Sequence, residues 1–345
     1  MGKNCFCLFN IFLVLCLCLA NTSFASQINR GVSAENLAVI VNTNDPNSVE
    51  VGEYYIAARH IPEANLVKVA LPLDTPNLKL EELEVLRIRI FHKLTPNIQA
   101  MVLVWTTPFA VGCNSITSAL TLGYDAKQCD NGCSSGKESV YFNSRSREPF
   151  SDYGLRISIL LPIKSVEKAK ALIDRGVLSA FKMNEASAYF LRTSDTARST
   201  RTPFFPKSAR IDVKKLELKT LSTDFIKDKH DVMFYFTGQA QVEGLDSLTF
   251  MPGAIADHLT SFGGDLTGTG QMSSVKWLDA GATGSYGTVS EPCNYWQKFP
   301  NPRVVLQHYL AGETLIEAYW KSVKWPAQGL FIGEPLAAPY QAPSN

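Results

Sequence analysis

Through its first third the chain alternates short apolar runs with longer amphipathic stretches. Residues 37–41 (Leu-Ala-Val-Ile-Val) are wholly apolar and end in the turn cluster Asn42-Thr43-Asn44-Asp45-Pro46. Over residues 48–60 the apolar positions Val49, Val51, Tyr54, Tyr55 and Ala58 fall close to helical spacing. Residues 66–70 return to strand character, and residues 79–94 repeat Leu80, Leu83, Leu86, Ile90 and Leu94 along one side of a helix. Residues 100–105 form a third apolar run. Short apolar runs alternating with helices of this length predict βαβ units and a parallel sheet.

The rhythm fails over residues 106–150, which are rich in Gly, Ser, Asn and Cys and read as a stapled insertion without regular structure. It resumes with a strand at 155–161 and a helix at 165–183, opened by Ser165 with Glu167 and Lys168 in its first turn. A polar loop covers 193–201, and residues 232–236 (Val-Met-Phe-Tyr-Phe) read as a buried strand. Further on, helices are predicted at 252–262 and 271–279. A Gly-rich β-like stretch follows at 281–289, then a helix at 302–323 broken near Gly312. The predicted fold class is α/β, a doubly wound and mainly parallel sheet with a disulfide-stapled insertion. Its parts are residues 1–25, an N-terminal α/β half at 26–150 carrying the Cys-rich insertion 106–150, and a C-terminal α/β half at 151–345.

The first residues change the picture of where such a domain resides. Lys3 is the only charge before Arg30. An apolar core spans residues 5–20, and Asn21-Thr22-Ser23-Phe24-Ala25 offers small residues at −3 and −1 of a cut after Ala25. This is the layout of a secretory leader. The alternative, an uncleaved anchor, is disfavoured because an apolar run of roughly 15 residues falls short of the ~20 that span a bilayer. The expectation is an exported protein, periplasmic or extracellular, with no membrane span after cleavage. Of 33 Lys and Arg and 32 Asp and Glu, only Lys3 falls within the leader, so residues 26–345 carry 32 of each sign. A neutral chain without a basic run offers no footprint for nucleic acid.

Four cysteines remain after residue 25: Cys113, Cys129, Cys133 and Cys293. In an exported protein they point to two disulfides, with three pairings open; a four-thiolate zinc site is the rival reading. No close metal-ligand motif, phosphate loop or nucleophile elbow occurs, so no cofactor or metal is expected.

In open α/β sheets ligands bind beyond the carboxyl ends of strands. That rule nominates Asn42, Asn44, Asp45, Thr237, Gly238, Gln239, Ser285 and Glu291 as a binding cleft. Candidate catalytic groups are His258 with Asp257 before it, Ser285, Cys293 and Glu291. Each has a plain structural alternative: the Asp257-His258 pair as a helix-surface pair, Cys293 as half of a disulfide. The glycines at 281, 284 and 287 weaken a strand, which implies that a ligand, another backbone or a helix approaches closely there.

Residues 37–42, 234–238, 257–264, 281–293 and 333–340 together resemble a family of exported bacterial proteins without an established activity. More distantly, the second half resembles the gingipain-type, caspase-like cysteine peptidases. That resemblance implies a His after a buried strand and a Cys after the next one, a thiolate beside an imidazole. Here the corresponding positions read Thr237-Gly238-Gln239-Ala240, and Gly284 or Ser285, so both members of the dyad are absent. The expected function is therefore a catalytically degenerate relative that binds a peptide or polymer. The alternative is a hydrolase using Ser285 or Cys293 with His258. A third reading is an envelope interaction protein contacting an envelope partner through surface aromatics such as Trp296 and Trp325.

Overall fold

The computed structural model describes residues 1–2 and 31–342. The expected leader, apart from its first two positions, lies outside the described residues. The strands are β1 (Leu37–Asn42), β2 (Leu66–Val69), β3 (Asn77–Leu78), β4 (Ala100–Val104), β5 (Ala110–Val111), β6 (Asn114–Ser115) and β7 (Ile157–Leu161). They continue with β8 (Ala186–Arg192), β9 (Ala209–Ile211), β10 (Leu216–Ser222), β11 (Lys229–Thr237), β12 (Leu248–His258), β13 (Gly284–Thr288) and β14 (Gly329–Gly333). The α-helices are α1 (Pro46–Arg59), α2 (Leu80–Phe91), α3 (Ile116–Leu122), α4 (Lys127–Asp130), α5 (Pro149–Tyr153), α6 (Val166–Ser179), α7 (Val275–Ala280), α8 (Pro302–Leu310) and α9 (Leu315–Ser322).

An 11-stranded sheet runs in the order β2-β1-β4-β7-β14-β13-β12-β11-β8-β10-β9, and β3, β5 and β6 form a small second sheet. The central strands β1, β4, β7, β13 and β14 are buried along their whole length. This is why they read as continuous apolar or small-residue runs rather than alternating ones. The chain steps from β1 to β2 and then back past β1 to β4, and with the right-handed crossovers that parallel strands follow as a rule this puts α1 and α2 on opposite faces. Accordingly α1 packs on α6, and α2 on α3. This is a doubly wound α/β fold.

One feature of the sheet decides where a site can lie. Strands β2, β1, β4, β7 and β14 are mutually parallel, and so are β13, β12, β11, β8 and β10. The two sets meet at β13 and β14, which are antiparallel, with Gly284 opposite Gly333 and Thr288 opposite Gly329. The carboxyl ends of the two sets therefore point to opposite edges of the sheet.

Local chemistry explains the element ends. Asp45 caps α1 by accepting from the Asn47 N–H, with Pro46 in the first turn. Ser165 caps α6, accepting from the Lys168 N–H as its sequence position predicts. Helix α8 opens under Asn301 and Pro302, and the predicted break falls where Gly312 takes φ +89° between α8 and α9. Two expectations are corrected. Residues 252–262 are not a helix, because 252–258 are the end of strand β12, whose Gly253 sits at φ +87°. The stretch 106–150 is not irregular throughout: it holds β5, β6 and three short helices. Strands β8, β9, β10 and β14 were not predicted at all.

Candidate strand-end site

Strands β10, β8, β11, β12 and β13 deliver their carboxyl ends to one edge, and the loops after them build the candidate site. Successive strand side chains point to opposite faces, so Asp257 and His258, the last two residues of β12, part company. Both are fully buried.

Asp257 accepts a short hydrogen bond through Oδ1 from Arg201 Nη1, an ion pair closed off from solvent. Arg201 also donates to the Pro300 carbonyl (3.2 Å) and through Nη2 to the Thr237 carbonyl (2.7 Å). Its guanidinium lies between the rings of Phe236 and Phe299. The Asp257 Oδ2 has no hydrogen-bond partner among the described residues. Burial pushes the carboxyl up to about 6 against the pull of Arg201.

His258 faces the other side of the sheet. The indole N–H of Trp277 donates to Nδ1 (2.9 Å), and Nε2 lies 2.9 Å from the Met272 carbonyl. An indole can only donate and a carbonyl only accept, so the ring is the neutral tautomer protonated at Nε2. Burial drives its pKa down to about 3, with the Met272 carbonyl opposing. Neither nitrogen has a free lone pair to take a proton from a nucleophile.

The other candidates are placed as follows. Ser285 is fully buried and its Oγ has no hydrogen-bond partner among the described residues. The register Ile255↔Gly284 sets Ser285 beside Ala256, two positions short of His258, which has no bond to it. Cys293 is joined to Cys133 and Cys113 to Cys129. All four sulfurs are thus in disulfides, and Cys293 is corrected from candidate nucleophile to structural crosslink. Glu291 is exposed, and its Oε1 accepts the Cys293 N–H (2.7 Å) across a turn. Trp296 packs at a tilt against Phe204, and Trp325 edge-to-face against Tyr295, each tryptophan half-buried. No group of three or more His, Cys, Asp or Glu among the described residues could hold a metal.

The predicted cleft also needs correction. Asn42 ends β1, Asn44 and Asp45 follow it, and all three therefore lie at the opposite edge from Thr237, Gly238 and Gln239. They are occupied locally. Asn42 Oδ1 accepts the N–H groups of Leu71 (2.9 Å) and Asn44 (3.1 Å), and Asp45 is the α1 cap.

Several residues that sequence reading passed over shape the strand-end edge instead. A Cβ on Gly238 would come within 2.1 Å of the Arg198 carbonyl, so this glycine admits the 193–201 loop against the strand end. Arg198 then donates to Thr260 (3.2 Å) and Asp195 (2.8 Å), and Thr260 donates to Gln271 (2.7 Å). Beside Gln271 opens a hollow of about 380 Å³ lined by Phe262, Asp265, Gly268, Thr269, Gly270 and Gln271. The clue available in the sequence was the pair of arginines in an otherwise small-residue polar loop.

The glycines of β13 are accounted for by protein, not by a ligand. A Cβ on Gly287 would meet the backbone of Gly263 at 2.2 Å, and one on Gly284 the buried Leu315 side chain at 2.6 Å.

No family profile matches the chain, and no curated protein matches it. Among solved structures, one described as "Structure of Protease" aligns with a TM-score of 0.49 at 9% identity, covering 90% of this chain and 80% of that one.

Proposed function

We propose that this is an exported α/β protein that holds a peptide or polymer segment at the edge where β11, β12 and β13 end, without cleaving it. One observation carries the reading: both nitrogens of His258 are committed inside the core, to Trp277 and Met272. General-base catalysis requires a base free to reach the proton it removes, and Cys293, held in a disulfide, has no thiol to offer. What the edge does present is an exposed aromatic ring at Phe262, the carboxylate of Asp265, the amide of Gln271 and the half-buried guanidinium of Arg198. That mixture suits a chain with repeating donors and acceptors. No helix among the described residues is long and apolar enough to cross a membrane.

The test pairs turnover with retention. Fluorogenic peptides and activated esters should release no product above buffer, while immobilised peptide and envelope-polymer fragments should retain the protein saturably. The double variant F262S/Q271A should abolish that retention. Turnover that disappears in Ser285→Ala would establish the hydrolase instead.

A further inference from the structure

At the opposite edge of the sheet, the fold gathers cations that lie apart in sequence. Lys68 of β2 and Arg89, His92 and Lys93 at the end of α2 line one hollow of about 500 Å³, together with Thr43 and Val69. Among the described residues no acidic side chain lines it, and Lys68, Arg89 and Lys93 are in no ion pair; Lys93 makes one long bond, to the Lys68 carbonyl (3.5 Å). Cations in the last turn of a helix complement its dipole, but that accounts for about half a charge. It does not account for Lys68, which comes from a strand.

A second hollow of about 280 Å³ adjoins the first, sharing Ala70 and Arg89. Its wall is apolar: Leu71, Pro72, Leu78, Val85 and Leu86. The position of Leu71 is fixed by Asn42 and Asn44, whose side-chain amides both reach its carbonyl, while Asn42 Oδ1 takes its N–H. The far end is closed by Glu81 and Glu82, which would repel a second anionic group.

We propose that this pair of hollows binds a single-headed anionic amphiphile, a carboxylate or phosphate monoester with an apolar chain. The headgroup lies among Lys68, Arg89, His92 and Lys93, and the chain lies along Leu71, Val85 and Leu86. Opposite charge attracts the head to this exposed cationic rim, and removing the chain's CH₂ groups from water against the apolar wall adds to the binding. Together the two hollows fall in the size range of small-molecule sites.

The experiment is calorimetric titration of residues 26–345 with dodecyl phosphate below its micelle concentration, beside inorganic phosphate and a neutral dodecyl maltoside. Saturable binding of dodecyl phosphate, at least tenfold tighter than either comparison ligand, is expected. The exposed-residue variants K68S/R89S and V85E should each weaken it at least tenfold with unchanged thermal melts, and V85E should leave inorganic phosphate binding as it was. The proposal is overturned by absence of saturation, by equal binding of the neutral amphiphile, or by a loss confined to one variant. Association with phosphatidic acid vesicles without binding of monomeric dodecyl phosphate overturns it as well, since that marks a membrane surface rather than a pocket.

Discussion

At the scale of single residues, the decisive fact is which partners the ionisable groups have already taken. His258 is the clearest case. Its folded pKa of about 3 lies below the ordinary value of 6.5, so the unfolded chain binds the proton more readily. The stability this residue contributes is fully present above pH 6.5 and is lost as pH falls toward 3. Asp257 has the opposite sign. Its pKa is raised from 3.8 to about 6, so its contribution is present below pH 3.8 and lost as pH rises through 6. The two oppose each other between pH 4 and 6, and a variant is needed to separate them. His258→Gln can still accept from Trp277 and donate to Met272 but does not titrate. The gap between wild-type and variant melting temperatures should shrink steadily from pH 7 to pH 4; parallel curves would show that His258 is not held neutral. His258→Leu, which leaves the Trp277 N–H buried without an acceptor, should cost about 1–3 kcal/mol at pH 7.

At the scale of elements, the chain was legible where local pattern and burial agree. β1, β4, β7, β11 and helices α1, α2 and α6 announce themselves through apolar runs and caps. β12 did not, because Pro252, Gly253 and the pair Asp257-His258 look polar and interrupted. Their reasons are tertiary: Arg201 neutralises Asp257 from a loop 56 residues away, and Trp277 satisfies His258. No local rule anticipates a charge buried by a distant partner. The same holds for β8, buried over its first six residues although its sequence mixes small, polar and aromatic side chains, and for β10, half-exposed near the sheet's far edge. In β13 the pattern announced a close approach but not its source. The structure supplies it, and the two glycines then differ in consequence. At Gly287 the obstacle is backbone of the 263–264 turn, which must itself move. At Gly284 it is a leucine side chain with rotamers to search. Gly287→Ala should therefore destabilise more than Gly284→Ala, by about 3 kcal/mol or more against about 1–3 for overpacking a side chain. Urea unfolding of the two variants measures this, and the reverse order would mean that the 263–264 turn is free to shift.

At the scale of the whole molecule, the reversal of strand direction between β13 and β14 is the feature no strand-by-strand reading could reach. It separates Asn42, Asn44 and Asp45 from Thr237, Gly238 and Gln239 and leaves one site candidate at each edge. It also makes a seam, since within the described sheet the two parallel sets are joined through the β13–β14 pair. The disulfide Cys133–Cys293 crosses that seam, tying the segment before β7 to the loop after β13 over a separation of 160 residues; Cys113–Cys129 spans 16. Beside the long crosslink, the buried ammonium of Lys298 donates to the Gly132 carbonyl, and burial holds its pKa down at about 8. Displacing Gly132 would leave that ammonium without its acceptor. Loop-closure entropy grows with the length of chain enclosed, so the long crosslink is worth about 5 kcal/mol and the short one about 3. The pair C133S/C293S should accordingly lose more stability in guanidinium than C113S/C129S. Because the 289–301 loop borders the strand-end edge, C133S/C293S should also weaken retention on peptide or polymer while C113S/C129S leaves it intact. Equal losses in both pairs would mean that the seam is held by β13–β14 pairing and core packing alone, with the crosslink adding nothing particular to the site.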